Sequence, residues 1–153
     1  RQVSDWLLGA GCAVAVVKLG GAGLYLRTTA DAGRLGPLAE ECGIDVAAWC
    51  GREIVAPCFT ANMVGTTGSG DCTIAGFLTE LREGSGPEDV MTFATAVGAC
   101  SVEAPDATGG VRPRAEVKGR LAAGWKKQNC PALDGWELNN EKTILSSPRD
   151  GVR

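Results

Sequence analysis

The chain is predicted to fold as an α/β domain. Three observations point there. Short, β-prone apolar runs occupy its first part, helix-period patterns dominate from residue 71 onward, and a glycine-rich turn, "GTTGSGD" (65–71), joins the two regions. A length of 153 residues suits one domain with a sizeable core.

Residues 2–10 fit a helix with Val3, Trp6, Leu7 and Ala10 on one face, and Gly11 is a natural stop. "AVAVV" (13–17) is a continuous apolar run that predicts a strand covered on both faces. After the turn "KLGGAG", "LYLRT" (24–28) alternates. Leu24 and Leu26 are expected inward and Tyr25 and Arg27 outward, and the short glycine turn predicts a hairpin. Residues 30–50, with Gly33, Gly36, Pro37 and Gly43, read as an irregular connection containing short helical pieces.

"REIVAP" (52–57) predicts a strand ended by Pro57. From Asp71 the order Ile74, Ala75, Leu78, Leu81 predicts a helix that Gly84 closes. Ser85 and Glu88 have capping-box spacing, with Pro87 suited to a first turn. Val90, Phe93, Ala94, Val97 and Ser101 then form one stripe, and Ala96, Gly98 and Ala99 permit close approach of a neighbour. A loop at 106–113 precedes a last helix at 114–125, facing inward through Val117, Leu121 and Trp125. This organisation gives a unit at 1–125 and a tail at 126–153, with little periodicity and little expected order.

Composition narrows the chemistry. With no histidine, Ser-His-Asp and Cys-His catalysis are excluded, so a general base must be Asp, Glu, Lys, Tyr or Cys. A net charge of −3 gives no electrostatic footprint for nucleic acid or an anionic membrane. No run of 18 apolar residues occurs, and "AVAVV" is too short to span a bilayer. The seven cysteines include no C-x-x-C, so a metal site is not expected, and reduced cytoplasmic thiols are. An acidic chain that binds phosphate must do so with local devices such as backbone amides.

Residues 65–71 are such a device. Gly65 and Gly70 have P-loop spacing, but Asp71 and Cys72 stand where that motif needs Lys and Ser or Thr. The first amides of a helix have no intrahelical partner, and glycines let an anion approach them. The amides of Gly68, Ser69 and Gly70 can therefore form an anion hole without lysine. Asp71 beside it can accept a proton from an attacking hydroxyl. The competing reading is a helix cap worth about 1 kcal/mol, and one residue can serve in both roles.

"GTTGSGD" followed by "CTIAGFL" closely resembles the second signature of the ribokinase-type (PfkB family) carbohydrate kinases, usually written D-T-x-G-A-G-D. "VVKLGGAGLYL" resembles the same family's T/K-x-G-x-x-G segment, and "EDVMTFATAVGACSV" followed by "TGG" looks like its late helix and nucleotide-side loop. The resemblance covers about residues 3–124 and implies the C-terminal, nucleotide-binding and catalytic part of a ribokinase-like three-layer α/β/α sandwich.

By that resemblance the γ-phosphate of ATP passes to a hydroxymethyl group of a sugar or related molecule. Asp71 would be the catalytic base, and Gly68, Ser69 and Gly70 the anion hole. Lys18, Gly20 and Gly23 would lie along the ATP site. Thr95, Gly98, Ala99, Gly109 and Gly110 would lie near the adenine, and Mg²⁺ would ride with ATP. The implied protein is cytoplasmic, with no nucleic-acid or membrane partner, and homodimerisation stays open. Two departures stand out. Gly65 replaces an aspartate that often helps bind an activating monovalent cation, which leaves potassium activation unsupported. The family's first half, with its Gly-Gly signature and most sugar contacts, is not in this sequence, so the chain alone is expected to be inactive. The alternative is a non-catalytic nucleotide-binding or structural module derived from such a kinase.

Overall fold

A computed structural model describes residues 1–129, 132–139 and 143–151. Strands β1 (Val14–Lys18) and β2 (Leu24–Thr28) form the expected hairpin, with Val14 opposite Thr28 and Lys18 opposite Leu24. β3 (Glu53–Ala56) pairs antiparallel with β2. Two short strands, β4 (Glu137–Leu138) and β5 (Leu145–Ser146), complete a five-stranded sheet in the order β1-β2-β3-β5-β4. The helices are α1 (Gln2–Gly9), α2 (Ala32–Cys42), α3 (Val46–Trp49), α4 (Ser69–Arg82), α5 (Pro87–Ser101) and α6 (Arg114–Ala122).

Strand alternation divides the side chains between two layers of cover. Leu24, Leu26, Ile54 and Ala56 pack with Leu35, Trp49, Phe77, Leu81, Met91 and Ala94, which form the main core. Tyr25, Val55 and Leu145 form a smaller cluster on the other face, with Val17 and Trp136 against it. α1 lies on that second side, where the Ser4 hydroxyl is 3.2 Å from the Tyr25 hydroxyl. The sheet thus sits between helices in the three-layer arrangement that the resemblance implies.

Several local expectations are corrected. α1 exposes Val3 (60%) and Trp6 (70%) and buries Ser4 instead, because Ser4 has a partner in Tyr25 and a second in the Arg1 carbonyl. Tyr25 is buried, not outward, since the tail strands cover its face. β1 is an edge strand among the described residues and buries only Ala15 fully. The segment at 30–50 is mostly helical. Asp31 caps α2 by accepting from the Gly33 amide, Gly43 ends it in the left-handed conformation, and Leu35 is in the core. Pro37 sits inside this helix, costing one hydrogen bond that the burial of Leu35 helps offset.

α4 begins at Ser69 and buries Cys72, Gly76, Phe77, Glu80 and Leu81, while Leu78 faces solvent. No capping box forms on α5. Gly86 is its N-cap, the Ser85 hydroxyl donates to Glu80, and Glu88 pairs with Arg52. α6 ends at Ala122, three residues short of the predicted helix end. The tail contributes β4 and β5, although two-residue strands carry too few positions to show alternation. Of the seven cysteines, Cys12, Cys42, Cys50, Cys58, Cys72 and Cys100 are free thiols, with Cys12 exposed, and Cys130 lies outside the described residues.

A polar knot ties the tail to the sheet. Glu53 on β3 is buried, and its carboxylate accepts from Tyr25 (2.9 Å), Ser147 (2.6 Å), Arg1 (2.9 Å) and Arg149 (3.2 Å). Burial alone would raise its pKa. The hydrogen bonds from Ser147, Tyr25 and Arg149, with the charge of Arg1, outweigh burial and lower it from 4.5 to about 2. Burial and Glu53 together push the Tyr25 phenol up to about 12, against the opposing hydrogen bond with Ser4. A carboxyl depressed in the folded state stabilises fully above its unfolded pKa, and that contribution is lost as pH falls through the folded value. Acid titration of the full-length protein should therefore lower its melting temperature as pH drops from 4.5 toward 2. Glu53→Gln should flatten that dependence in calorimetry and cost about 1–3 kcal/mol near pH 7.

Candidate active site

The site forms where the β1–β2 turn, the segment after β3, the first turn of α4 and the third and fourth turns of α5 meet. They enclose a cleft of about 300 Å³. Its geometry begins with α4. Gly68 is the N-cap at φ 75°, and a Cβ there would lie 2.7–2.9 Å from Ala107, so only glycine fits this turn. The Gly68 carbonyl accepts from the amides of Asp71 (3.0 Å) and Cys72 (2.9 Å), and the Ser69 amide donates to the Thr66 carbonyl (3.2 Å). The amides of Gly68 and Gly70 have no acceptor among the described residues. Two of the three amides expected in an anion hole are therefore unpartnered, and the third already serves the turn.

Lys18 ends β1 and lies over this turn. Its ammonium occupies the space a Gly70 Cβ would enter, 2.7 Å away, and is 3.6 Å from the Asp71 carboxylate. Asp71 is 91% exposed and follows the cleft-lining Gly70, though it is not itself part of the lining. Lys18, Gly20, Gly23, Ser69, Gly70, Thr95, Gly98 and Ala99 all line the cleft. Gly20 and Gly23 both have left-handed φ, at 59° and 108°. At Gly23 a Cβ would lie 2.0 Å from the Ala56 carbonyl oxygen, so glycine lets the hairpin turn pass against β3.

Gly109 and Gly110 stand apart from that lining. The Gly109 amide donates to Asp106 within its own loop, and a Cβ on Gly110 would meet the Cys100 carbonyl at 2.3 Å. Hydrogen bonds from the Gly109 and Thr108 amides hold the Asp106 carboxyl below its usual pKa. Both glycines thus shape the chain as it leaves α5.

Sequence reasoning missed Cys58, Phe59, Met63, Thr66 and Gln128, which also line the cleft. They fall in stretches read as loop or tail, where no periodicity marks an inward side. An isolated bridge between Phe59 and Lys127 brings the two stretches together. No group of three or more His, Cys, Asp or Glu side chains among the described residues is placed to hold a metal ion. No helix among them is long and apolar enough to cross a membrane.

A helix-flanked sheet with this glycine-rich turn at the head of α4 defines an α/β domain of the ribokinase-like class. The model of the pfkB family of carbohydrate kinases matches residues 2–113, and the chain belongs to that family. Among solved structures it is similar to ribokinase from Thermotoga maritima, with 26% identity and a TM-score of 0.60 over 79% of this chain. A protein assigned as a sugar kinase from Clostridium perfringens shares the fold at 16% identity, with a TM-score of 0.59 over 83% of this chain. So does an uncharacterized sugar kinase from Pyrococcus horikoshii, at 18% identity and a TM-score of 0.51 over 78% of this chain. This chain spans 34% of the length of each of the three. Among curated proteins none matches it.

Gly65 has a steric reason to be glycine here. A Cβ would lie 3.0 Å from the Ala104 carbonyl oxygen and 3.1 Å from Pro105, both backbone contacts. Installing the aspartate usual in the signature, Gly65→Asp, should force the two loops apart. We expect a loss of about 1–3 kcal/mol of stability in thermal melts of the full-length protein.

Proposed function

We propose that the full-length protein transfers the γ-phosphoryl group of ATP to a hydroxyl of a sugar or related small molecule. The observation that carries this reading is the Asp71 carboxylate in the first turn of α4, beside the unpartnered amide of Gly70 and 3.6 Å from the Lys18 ammonium. Asp71 takes the proton of the acceptor hydroxyl as its oxygen attacks the γ-phosphorus and the bond to ADP breaks. The amides of Gly68 and Gly70 donate to the oxygens on which charge develops, with Ser69 shaping the turn between them. Lys18 adds a positive charge over Gly70. The residues of the turn and the cleft hold the nucleotide along α5 toward Thr95.

The donors that face the phosphate end are amides and an ammonium, a set that suits phosphate oxygens. Mg²⁺ would therefore be carried by the nucleotide and neutralise its charge there. The unpaired thiols fit a reducing, cytoplasmic setting. A second reading, nucleotide binding without turnover, draws on Gly65, whose close packing leaves no space for the usual aspartate. An ATP-analogue titration that shows binding, in a full-length protein without turnover on any sugar, would favour it.

The decisive variant is Asp71→Asn in the full-length protein. We expect kcat to fall by about 10²–10⁴-fold, with KM for ATP changed by less than about threefold, because the amide keeps the shape of the carboxylate. A kcat that stays within about tenfold of the parent protein contradicts Asp71 as the base.

A further inference from the structure

We infer that a second cavity, walled by α5, α6 and the tail, binds a flat apolar molecule carrying one anionic group and acts as an effector site for the cleft. The cavity has a volume of about 800 Å³, which suits a small molecule. Asp89 and Phe93 reach it from the first two turns of α5, Leu121 from α6, Lys126 from the stretch after α6, and Leu138 from β4. Of the residues that line the cleft, only Phe59 and Gln128 also line this cavity. Lys127 on the cavity side reaches the Thr95 hydroxyl on the cleft side at 3.2 Å, and so closes the gap between the two spaces. Leu121, Lys126 and Leu138 lie beyond residue 113, where the family match ends.

The floor of the cavity is aromatic. The Phe59 and Trp125 rings lie with centres 4.8 Å apart and planes 31° apart, and Leu121 packs against the cluster that holds Phe59 and Phe93. Leu138, 44% exposed, adds apolar surface from the tail. Flat apolar ligands gain most from such a floor.

The charges around it select the polar group. Glu88 is held by Arg52, and Lys118 by the buried Glu80. Asp89 and Lys126 are exposed and have no ion-pair partner among the described residues. Lys126 follows Trp125 directly, and the Lys127 ammonium lies 4.2 Å from the centre of the Phe59 ring. The aromatic end of the cavity is therefore the cationic end, while Asp89 stands on the first turn of α5. An anion on the aromatic floor meets Lys126, whereas a cation there would meet two like charges.

The shared residues supply the coupling. The Gln128 side-chain nitrogen donates to the Phe59 carbonyl (3.2 Å), its main-chain amide donates to the Cys58 carbonyl (2.7 Å), and the Trp125 indole donates to the Thr60 carbonyl (2.7 Å). A ligand pressed on the Phe59 and Trp125 rings thus bears on the segment that forms one wall of the cleft. This coupling, though not the site itself, rests on the nucleotide reading of the cleft. By linkage, the nucleotide changes the affinity of the second ligand by the same factor that the ligand changes the nucleotide's.

The test is fluorescence titration of the full-length protein with anilinonaphthalenesulfonate, a flat aromatic anion, and with phenylnaphthylamine, its neutral counterpart. We expect one saturable site that binds the sulfonate about tenfold more tightly than the amine. Lys126→Ala should narrow that ratio to less than about threefold, and Leu138→Asn should weaken both probes by about threefold or more. Both side chains are exposed, so neither change disturbs the core. A non-hydrolysable ATP analogue should shift the Kd of the sulfonate by about fivefold or more and then reach a plateau. The inference is overturned by the lack of a saturable site, by equal affinity for the two probes, or by a ratio that Lys126→Ala leaves unchanged. Displacement that rises without limit as the analogue is added also overturns it, because the probe then sits in the cleft. If the analogue binds by calorimetry yet leaves the Kd of the sulfonate unchanged, the effector role is wrong. If the analogue does not bind at all, the nucleotide reading of the cleft fails and the effector role with it, while the two probes and Lys126→Ala still decide the site.

Discussion

The approach of α4 to α5 is the constraint on which the site depends. Gly76 on α4 faces α5 so closely that a Cβ would lie 2.9 Å from Val97, and Gly98 on α5 would place a Cβ 2.2 Å from the Thr73 hydroxyl. The two glycines sit on opposite helices, and each removes the side chain that would hold the pair apart. The first turn of α4 is thereby set against the fourth turn of α5, and the cleft opens between that turn and the β hairpin. Any larger residue at either position moves the amides of Gly68 and Gly70 relative to Lys18.

A buried charge fixes α4 at its other end. Glu80 is fully buried, and it accepts from Arg114 (2.9 Å), Ser85 (2.8 Å) and Lys118. Burial would raise its pKa, but the hydrogen bonds from Arg114, Lys118 and Ser85 outweigh burial and lower it. A buried carboxylate left without partners would be costly, so α4, α6 and the start of α5 are held in one register. Glu53 does the same for β3, α1 and the tail. Each of these buried carboxylates recruits partners distant in sequence, which is why neither was visible as a structural centre from spacing alone.

The hairpin, the third strand, the turn at 65–71 and the long α5 were legible because each is specified locally, by apolar runs, glycine spacing or a continuous small-residue stripe. What failed was decided by tertiary partners. Tyr25 reads as outward until the tail covers it. Ser4 is buried because Tyr25 receives it, while Trp6, the stronger apolar signal, is exposed. Ser85 and Glu88 have capping-box spacing, yet Glu80 and Arg52 take their side chains. α2 forms despite Gly33, Gly36 and Pro37 because Asp31 and Gly43 supply its ends and Leu35 is buried in the core. At the site the same division holds. Lys18 lies beside Gly70 and Asp71, three residues that local glycine spacing marks, whereas Phe59 and Gln128 enter through a bridge between two irregular stretches.

We propose above that unpartnered amides at the head of α4 receive the transferring phosphoryl group. Its most direct test is amide NMR of the full-length protein, with the glycines assigned and a non-hydrolysable ATP analogue added with Mg²⁺. The Gly68 and Gly70 amide protons should move downfield on binding, more than those of glycines outside the cleft such as Gly119. Saturating nucleotide binding that leaves both amides unshifted would contradict it.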